Sequence, residues 1–341
     1  MDPIEVFNKL ASSAPASISD VVAGIMGGLL MRGNTRKAEF EKLKAGYFDE
    51  VARDLINQGH LSNFEYYKLT NFLKVAELAD KYCSGTDNPN AVKEDQSPEN
   101  TKRSKSANKS DFDFDFDFDW YIRFYEYSGR VSSADMQQLW GKVLAGKVKK
   151  EGKFHYKTLE TLWQLDSETA TEFATLCKLI VYDNCDSYSF ISTTEIIPDI
   201  NYEYELDGQA FNRIADAGLI LGVRSECRMF DNLQDTFFFY NENIIVEVNP
   251  KTSSALNMIF YVYPLSSSGK DIYEIAEIQA DDNYLLDIAF FLKVKYEAEL
   301  NVTANPIISV TSDAVVGDKD INLLEGYYPQ NDKIINLYKK M

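Results

Sequence analysis

Apolar side chains recur at helical spacing throughout residues 120–182, and they give this stretch the strongest helix pattern in the chain. Residues three or four positions apart share one face of an α-helix, so the pattern predicts three successive helices. Ser132 followed by Asp135 suits the N-terminus of the first, and Asp166 or Ser167 that of the third. Short connections predict that the three pack as neighbours in a central helical core. The positions expected to face this core are Met136, Leu139, Trp140, Val143 and Leu144, then Leu159, Leu162 and Trp163, then Phe173, Leu176, Cys177 and Ile180.

All the tryptophans of the chain, Trp120, Trp140 and Trp163, fall in this stretch. A cage of aromatic rings can bind a cationic ligand. Large aromatic side chains at helical spacing more often fill a hydrophobic core, because burying them contributes most to its stability. We therefore predict that the tryptophans are core residues and not a ligand cage.

The N-terminal region, residues 1–83, is also predicted to be helical, with helices over residues 35–59 and 62–82. Before them, the segment Ile18–Met31 is apolar and contains three glycines. Its uncharged part is too short to span a bilayer. Two interpretations stay open. We favour a short buried helix that docks on the rest of the protein, and the alternative is a segment that lies at a membrane surface or self-associates.

Residues 84–119 are predicted to be a flexible linker, because residues 84–110 are polar and show no periodicity. The linker ends in an alternating run of aspartate and phenylalanine over residues 111–119. In an extended strand, this alternation would place every aspartate on one face. Carboxylates on one face can collect a divalent cation such as Ca²⁺. We favour the simpler interpretation, in which the run belongs to the linker.

Residues 183–341 are predicted to mix helices and strands, since runs of aromatic and β-branched residues alternate with turn residues. A helix ended by Gly218 and followed by strands resembles a winged-helix unit. The expected fold class is therefore α+β, with an N-terminal helical region, a central three-helix core and a C-terminal mixed, winged-helix-like region. The expected elements are a strand over Ser189–Ile197, a helix over Leu206–Leu219, strands over Phe237–Tyr240, Ile244–Val248 and Met258–Tyr263, and a helix or long strand over Tyr284–Leu300.

Charge is distributed unevenly along a chain whose net charge is −18. Residues 120–158 hold 8 basic against 3 acidic side chains, whereas residues 159–341 hold 12 basic against 30 acidic ones. An acidic protein repels nucleic acid at long range, so any such contact would have to use the basic island at 142–157. The candidate partner- or phosphate-binding residues of this island are Lys142, Lys147, Lys149, Lys150, Lys153, His155 and Lys157.

Motifs of known catalytic sites are missing from the sequence. It has no P-loop, no G-x-G-x-x-G after a strand, no H-E-x-x-H and no nucleophile elbow. Its cysteines are widely spaced and fit no C-x-x-C pattern, which indicates reduced thiols in a cytoplasmic protein. We therefore predict no catalytic residue, no cofactor and no metal site, and we lean against an enzymatic role.

A family resemblance extends over about fifty residues, beginning with Trp120 and Arg123-Phe124. The run Met136–Gly146 is similar to a "Q-x-L-W-x-x-I-L-A-G-E" helix, and Glu151–Leu162 to "P-G-x-F-S-x-R-T-L-x-x-L". Both motifs are typical of an uncharacterised bacterial family with a domain of unknown function. The chain departs from that pattern at Lys147, Glu151 and His155. The leucine-alanine helix also resembles the abortive-infection alpha proteins of bacterial phage defence.

Together these features predict an interaction or regulatory protein that acts by binding a partner, with the resemblance implying a role in phage defence. A protein partner or self-association is expected. One alternative is a membrane-associated effector that acts through Ile18–Met31, at the inner membrane. The other is a winged-helix protein that binds nucleic acid through the basic island.

Overall fold

A computed structural model describes residues 56–59, 61–84, 117–149, 154–183, 188–191, 206–222, 224–253, 255–310 and 314–329. The chain divides into two compact units, Met1–Leu159 and Glu160–Met341. The helices of the described residues are α1 Asn63–Ser84, α2 Phe118–Ser128, α3 Ala134–Lys149, α4 Tyr156–Gln164, α5 Ser167–Cys177, α6 Gly208–Asp216, α7 Ser267–Ala276 and α8 Asp282–Lys295. The strands are β1 Ile180–Asp183, β2 Tyr188–Ile191, β3 Arg224–Phe230, β4 Phe237–Tyr240, β5 Ile244–Pro250, β6 Leu256–Pro264, β7 Leu300–Val310 and β8 Val315–Gly317.

The first unit is built around aromatic side chains from α1, α2 and α3. Trp120 stacks on Phe124 with ring centroids 5.2 Å apart, and Phe124 meets Trp140 edge to face at 5.3 Å. Trp120 Nε1 donates a hydrogen bond of 2.6 Å to the carbonyl oxygen of Phe154. A Cβ at Gly146 would lie 2.4 Å from the Phe154 ring, so glycine lets that ring pack directly against α3. These contacts confirm that Trp120 and Trp140 are core residues.

The second unit contains an antiparallel sheet in which the described strands follow the order β3-β6-β2-β1-β4-β5-β7-β8. Neighbours along the chain are mostly not neighbours in the sheet, so many of its pairings join distant segments. Helix α8 packs against β5 and β7, and α6 packs against α5. Buried Val246, Val248 and Leu292 belong to the core of this unit.

The segments after α6 and before α7 meet in the second unit. Gly218 adopts a left-handed φ of 75°, which turns the chain out of α6. Ile220 then forms an antiparallel bridge with Leu265, and the Ser266 amide donates to the Leu219 carbonyl oxygen at 3.0 Å. A Cβ at Gly269 would lie only 1.9 Å from the same oxygen. Glycine is therefore required where α7 begins.

The α+β class is confirmed, and so are the predicted strands that became β4, β5 and β6. The predicted helix over Leu206–Leu219 corresponds to α6, and the stretch Tyr284–Leu300 is largely helix α8 rather than a strand. The predicted strand over Ser189–Ile197 corresponds to β2 as far as Ile191, and its remainder lies outside the described residues. The winged-helix resemblance stays a prediction.

Three local predictions were wrong. Trp163 is 38% exposed, because α4 buries the face that carries Leu159 and Leu162. Ile180 lies in β1 and not in a helix, because the amide of Lys178 bonds to Thr175 O and ends α5 in a tight turn. The third error concerns a helix start. Helix α3 begins at Ala134, one residue too late for Ser132 to be its N-cap. At the end of the Asp-Phe run, Asp117 caps α2, whereas residues 111–116 lie outside the described residues.

Several predictions lie outside the described residues, namely those on residues 1–55, which include Ile18–Met31, and on residues 85–116. The predicted boundaries at 1–83, 84–119, 120–182 and 183–341 stay predictions. Among the helices that the structure describes, none has the length and apolar character needed to cross a membrane.

Candidate binding surfaces

The lysines of the basic island make contacts within the first unit. Lys149 Nζ donates a hydrogen bond of 2.8 Å to the Tyr82 carbonyl oxygen at the end of α1, and Lys142 Nζ lies 5.8 Å from the centre of the Tyr82 ring. Lys147 Nζ lies 5.0 Å from the ring of Trp120. Lys142 and Lys147 make cation–π contacts, and Lys149 bonds to a carbonyl oxygen at the C-terminus of α1. These contacts join α1, α2 and α3. They give these three lysines structural roles.

The other residues of the island lie at or before the start of α4. His155 and Lys157 are exposed, and the His155 carbonyl oxygen accepts a hydrogen bond from the Thr158 amide at 3.0 Å. Lys150 and Lys153 lie outside the described residues. The structure therefore places Lys142 and Lys149 around one tyrosine and Lys147 over a tryptophan, and a partner- or phosphate-binding role for the island stays a prediction.

A different surface of the first unit exposes large aromatic side chains. Phe64 is 56% exposed and Tyr67 is 43% exposed, both in the first turns of α1. Arg130, from the connection between α2 and α3, places its guanidinium 5.8 Å from the centre of the Phe64 ring. Phe64, Tyr67 and Arg130 are called the aromatic patch below. Aromatic and arginine side chains of this kind are enriched at the centres of protein interfaces.

The backbone under the aromatic patch is held by a capping box. The Ser62 amide donates to Glu65 Oε2 at 2.8 Å, and the Glu65 amide donates to Ser62 Oγ at 3.2 Å. These bonds hold the pKa of the Glu65 carboxyl group below its ordinary value, mainly through the Ser62 amide. Reciprocal bonds of this type fix the first turn of a helix. Phe64 therefore projects from an ordered turn.

Hydrogen bonds also fix the tyrosine of the patch. The side chains of Asn71 and Ser132 bond to the Tyr67 hydroxyl and lower its pKa. This contact gives Ser132 a different role from the helix cap predicted for it. Asn71 Nδ2 in turn donates to the Gly129 carbonyl oxygen at 3.1 Å. The ring of Tyr67 is thereby tied to the connection between α2 and α3.

An ion pair completes the support beneath the patch. Lys68 is buried, and its Nζ bonds to Glu126 Oε1 at 2.7 Å while lying 5.2 Å from the centre of the Tyr125 ring. Gln137 Nε2 donates to the Val131 carbonyl oxygen at 2.8 Å. A buried charge must be paired to be tolerated, and here one carboxylate and an aromatic face satisfy it. These contacts join α1, α2 and α3 beneath the patch.

The aromatic patch was not predicted from the sequence, which indicated only a helix over residues 62–82. Phe64 and Tyr67 are three residues apart and lie beside the buried face that includes Phe72 and Val75. Aromatic residues just outside an apolar stripe, following a Ser-x-x-Glu cap, are the signal that the sequence offers.

Metal chemistry finds no support in the residues that the structure describes. They contain no group of three or more histidine, cysteine, aspartate or glutamate side chains arranged to hold a metal ion. The cysteines whose side chains the structure describes are Cys83 and Cys177, and neither forms a disulfide. Burial raises the pKa of the Cys177 thiol, which keeps it protonated and unreactive.

Comparison with known proteins gives one match. A family model described as "Protein of unknown function (DUF2806)" matches residues 100–289, which is more than half of the chain. No curated protein matches, and no solved structure matches. The matched region contains Arg130 of the aromatic patch, whereas Phe64 and Tyr67 precede it.

Proposed function

This chain belongs to the DUF2806 family. From the exposed aromatic patch of its first unit, we propose that it is an interaction protein, which binds a protein partner through that patch. The observation that carries the proposal is the exposure of Phe64 and Tyr67 on a scaffold held by hydrogen bonds. Exposed aromatic rings lose contact with water only when a partner covers them. Burial of such rings is the largest source of affinity in most protein interfaces.

The contacts that hold the side chains of the aromatic patch in place also support the proposal. A side chain that is already ordered loses little conformational entropy when it is bound, so more of its contact energy appears as affinity. Both rings have only two side-chain torsions, and Arg130 and Lys68 lie against the Phe64 ring at 5.8 and 5.9 Å. Truncating an anchor of this kind costs at least about 2 kcal/mol of binding free energy.

The charge of the patch indicates what the partner presents. Arg130 is about half exposed and lies 3.7 Å from Glu126 Oε2, whereas the body of the second unit is acidic. An apolar partner surface with a carboxylate at its rim would match Phe64, Tyr67 and Arg130. Charges at the rim of an interface mainly raise the association rate, and they leave most of the affinity to the rings.

The biological setting that we propose is phage defence, as the resemblance of α3 to abortive-infection alpha proteins implies. The test is a plaque assay in cells that carry the gene, with wild type compared to the Phe64→Ala variant. We expect the variant to lose protection against phage while its abundance in the cell stays unchanged. No protection by the wild type against any phage tested would contradict the setting, and it would leave partner binding to the following experiment.

Site-specific cross-linking tests partner binding. Phe64 is replaced by benzoylphenylalanine, a photoreactive aromatic analogue, and the protein is irradiated in the cells that naturally produce it. The matched control carries the same analogue at Gln138, an exposed position of α3 in the same unit. We expect one discrete protein, or a second copy of this chain, cross-linked from position 64 and absent from position 138.

A second variant makes the cross-link specific. Combining the analogue at position 64 with Tyr67→Ala removes the neighbouring anchor and should abolish the cross-link, while circular dichroism shows that the fold is kept. Cross-linking that is equal at positions 64 and 138, or that survives Tyr67→Ala unchanged, would show that the patch is not the binding surface.

A further inference from the structure

The second unit contains a pocket of about 320 Å³ whose walls combine tyrosine rings with carboxylates. This volume is at the lower end of those that hold small ligands. The pocket opens where the last turn of α7 approaches β1 and the turn between β4 and β5. Its lining residues are Tyr182, Glu242, Tyr273, Glu274, Glu277, Ile278 and Gln279.

The tyrosine rings form an ordered wall. Tyr182 stacks on Tyr240 with ring centroids 5.3 Å apart and an angle of 17° between the planes. The hydroxyl oxygens of Tyr182 and Tyr273 lie 3.3 Å apart, close enough for a hydrogen bond, and Tyr273 is buried. The faces of aromatic rings carry partial negative charge and attract cations within about 6 Å.

The turn that carries Glu242 is also fixed. The side-chain oxygen of Asn241 accepts hydrogen bonds from the amides of Asn243 and Ile244 at 2.9 and 2.8 Å. Asn241 Nδ2 donates to Asp282 Oδ1 at 2.9 Å, which ties the turn to the start of α8. Glu242 is therefore held at the rim of the pocket by a network of short contacts.

Negative potential in the pocket comes from the end of a helix as well as from side chains. Helix α7 ends at the pocket, and Glu277 caps it in the left-handed region with a φ of 52°. The C-terminus of a helix carries a partial negative charge that favours cations. Among the described residues that line the pocket, three are glutamates and none is lysine, arginine or histidine.

Glu242 shows the effect of this potential. Although much of the residue is exposed, partial burial raises the pKa of its carboxyl group above the ordinary value, and the negative charge of Asp282 adds to the rise. A cation bound beside Glu242 would relieve both effects, since it would stabilise the ionised carboxylate.

We propose that this pocket binds an organic cation carrying an ammonium or guanidinium group, which lies against the Tyr182 and Tyr273 rings and pairs with Glu242, Glu274 and Glu277. The tyrosine faces favour such a group over a hard metal ion such as Ca²⁺, which is bound by oxygen ligands, and the carboxylates disfavour an anion. The cation has two chemical sources, a free small amine or the side chain of a lysine or arginine in a protein. This pocket is a site separate from the aromatic patch.

Calorimetric titration of the full chain tests the proposal. The probes are agmatine, a free amine with a guanidinium group, N-acetyl-arginine amide, which represents an arginine side chain, and N-acetyl-citrulline amide, its neutral analogue. For probes of this size we expect saturable one-to-one binding on the order of 1 mM for a cationic probe and none for the neutral one. Binding of agmatine alone identifies a free amine as the ligand, and binding of N-acetyl-arginine amide identifies a protein side chain.

Charge-neutral variants locate the binding. Glu277→Gln and Glu242→Gln keep side-chain shape and should each weaken binding about fivefold or more, as expected when a charge-assisted hydrogen bond is lost. Glu325→Gln removes one charge from an exposed residue of the same unit outside the pocket and should leave the affinity unchanged. Because Glu242 is at the rim, its variant tests the proposal even if Glu277→Gln disturbs the helix end.

Two results would overturn the proposal. One is the lack of saturable binding by both cationic probes at about ten times the expected dissociation constant. The other is equal weakening by Glu325→Gln and by the pocket variants, because it would show that the acidic surface attracts cations without a defined site.

Discussion

Replacing each buried tryptophan by phenylalanine should reveal different hydrogen bonding at two sites of almost equal burial. Trp120 is 1% exposed and Trp140 is 0% exposed, and both contact the ring of Phe124. Trp120 Nε1 donates to the Phe154 carbonyl oxygen at 2.6 Å. Trp140 Nε1 is buried and has no hydrogen-bond partner among the described residues.

The magnitude follows from this difference. Exchange of indole for a benzene ring removes similar volume at both sites, so the costs of the resulting cavities are similar. Trp120→Phe also removes a hydrogen bond and leaves the Phe154 carbonyl oxygen buried without a partner. One unsatisfied buried group costs about 1–3 kcal/mol. Trp140→Phe instead removes an unsatisfied donor. Trp120→Phe should therefore destabilise the first unit more than Trp140→Phe, by at least about 1–3 kcal/mol.

The assay is equilibrium unfolding by urea, followed by far-ultraviolet circular dichroism. The free energies of unfolding are compared between variants whose free energy falls with urea at the same slope. Trp140→Ala provides the upper reference, since loss of a fully buried tryptophan costs about 3–5 kcal/mol. Equal destabilisation by the two phenylalanine variants, or a larger effect at Trp140, would refute the assignment of the hydrogen bond. A Trp140→Ala variant as stable as wild type would show that this tryptophan is not in the core.

Two further predictions concern stability. Gly269→Ala should lower the free energy of unfolding by at least about 2 kcal/mol, because its Cβ would lie 1.9 Å from the Leu219 carbonyl oxygen. The control Gly222→Ala, with open space around its Cβ, should lower it far less in the same urea titration. A hydrogen bond of 2.6 Å to Asp117 raises the pKa of Tyr156 to about 12 from its ordinary value of 10. The stability that this bond adds is therefore fully present below pH 10 and is lost as the pH rises through 12. The stability difference between wild type and Tyr156→Phe should therefore vanish over that range, and a constant difference would contradict the bond.

Local patterns explain which parts of the fold could be predicted from the sequence. Strands β4, β5 and β6 follow runs of aromatic and β-branched residues, and Gly218 marks the end of α6, as its positive φ requires. The burial of Trp140 follows from its place in an apolar stripe. Each of these features depends on residues close together in the chain.

Features that depend on distant residues could not be predicted. Strand β1 pairs with β2 and with β4, and nothing in its short sequence specifies those neighbours. Trp163 has the same apolar character as Trp140, and only the packing of α4 leaves it exposed.

The binding surfaces show the same limit. In the aromatic patch, the tyrosine of α1 bonds to Ser132, which lies 65 positions further along the chain. The pocket joins Tyr182 of β1 to Tyr273 of α7, residues separated by 91 positions. Sequence spacing carries no information on such pairs, so these contacts between distant residues become visible only in the folded chain.

The most direct test of partner binding is the dissociation constant of the protein cross-linked from position 64, measured with purified wild type and with Phe64→Ala. Loss of an interface anchor worth about 2 kcal/mol corresponds to about thirtyfold weaker binding. Because Phe64 is largely exposed and loses its contacts with Lys68 and Arg130, the same substitution should change the free energy of unfolding by no more than about 1–2 kcal/mol. Thirtyfold weakening by Phe64→Ala with unchanged affinity for Gln138→Ala is the result predicted here, and equal affinities for wild type and Phe64→Ala would contradict it.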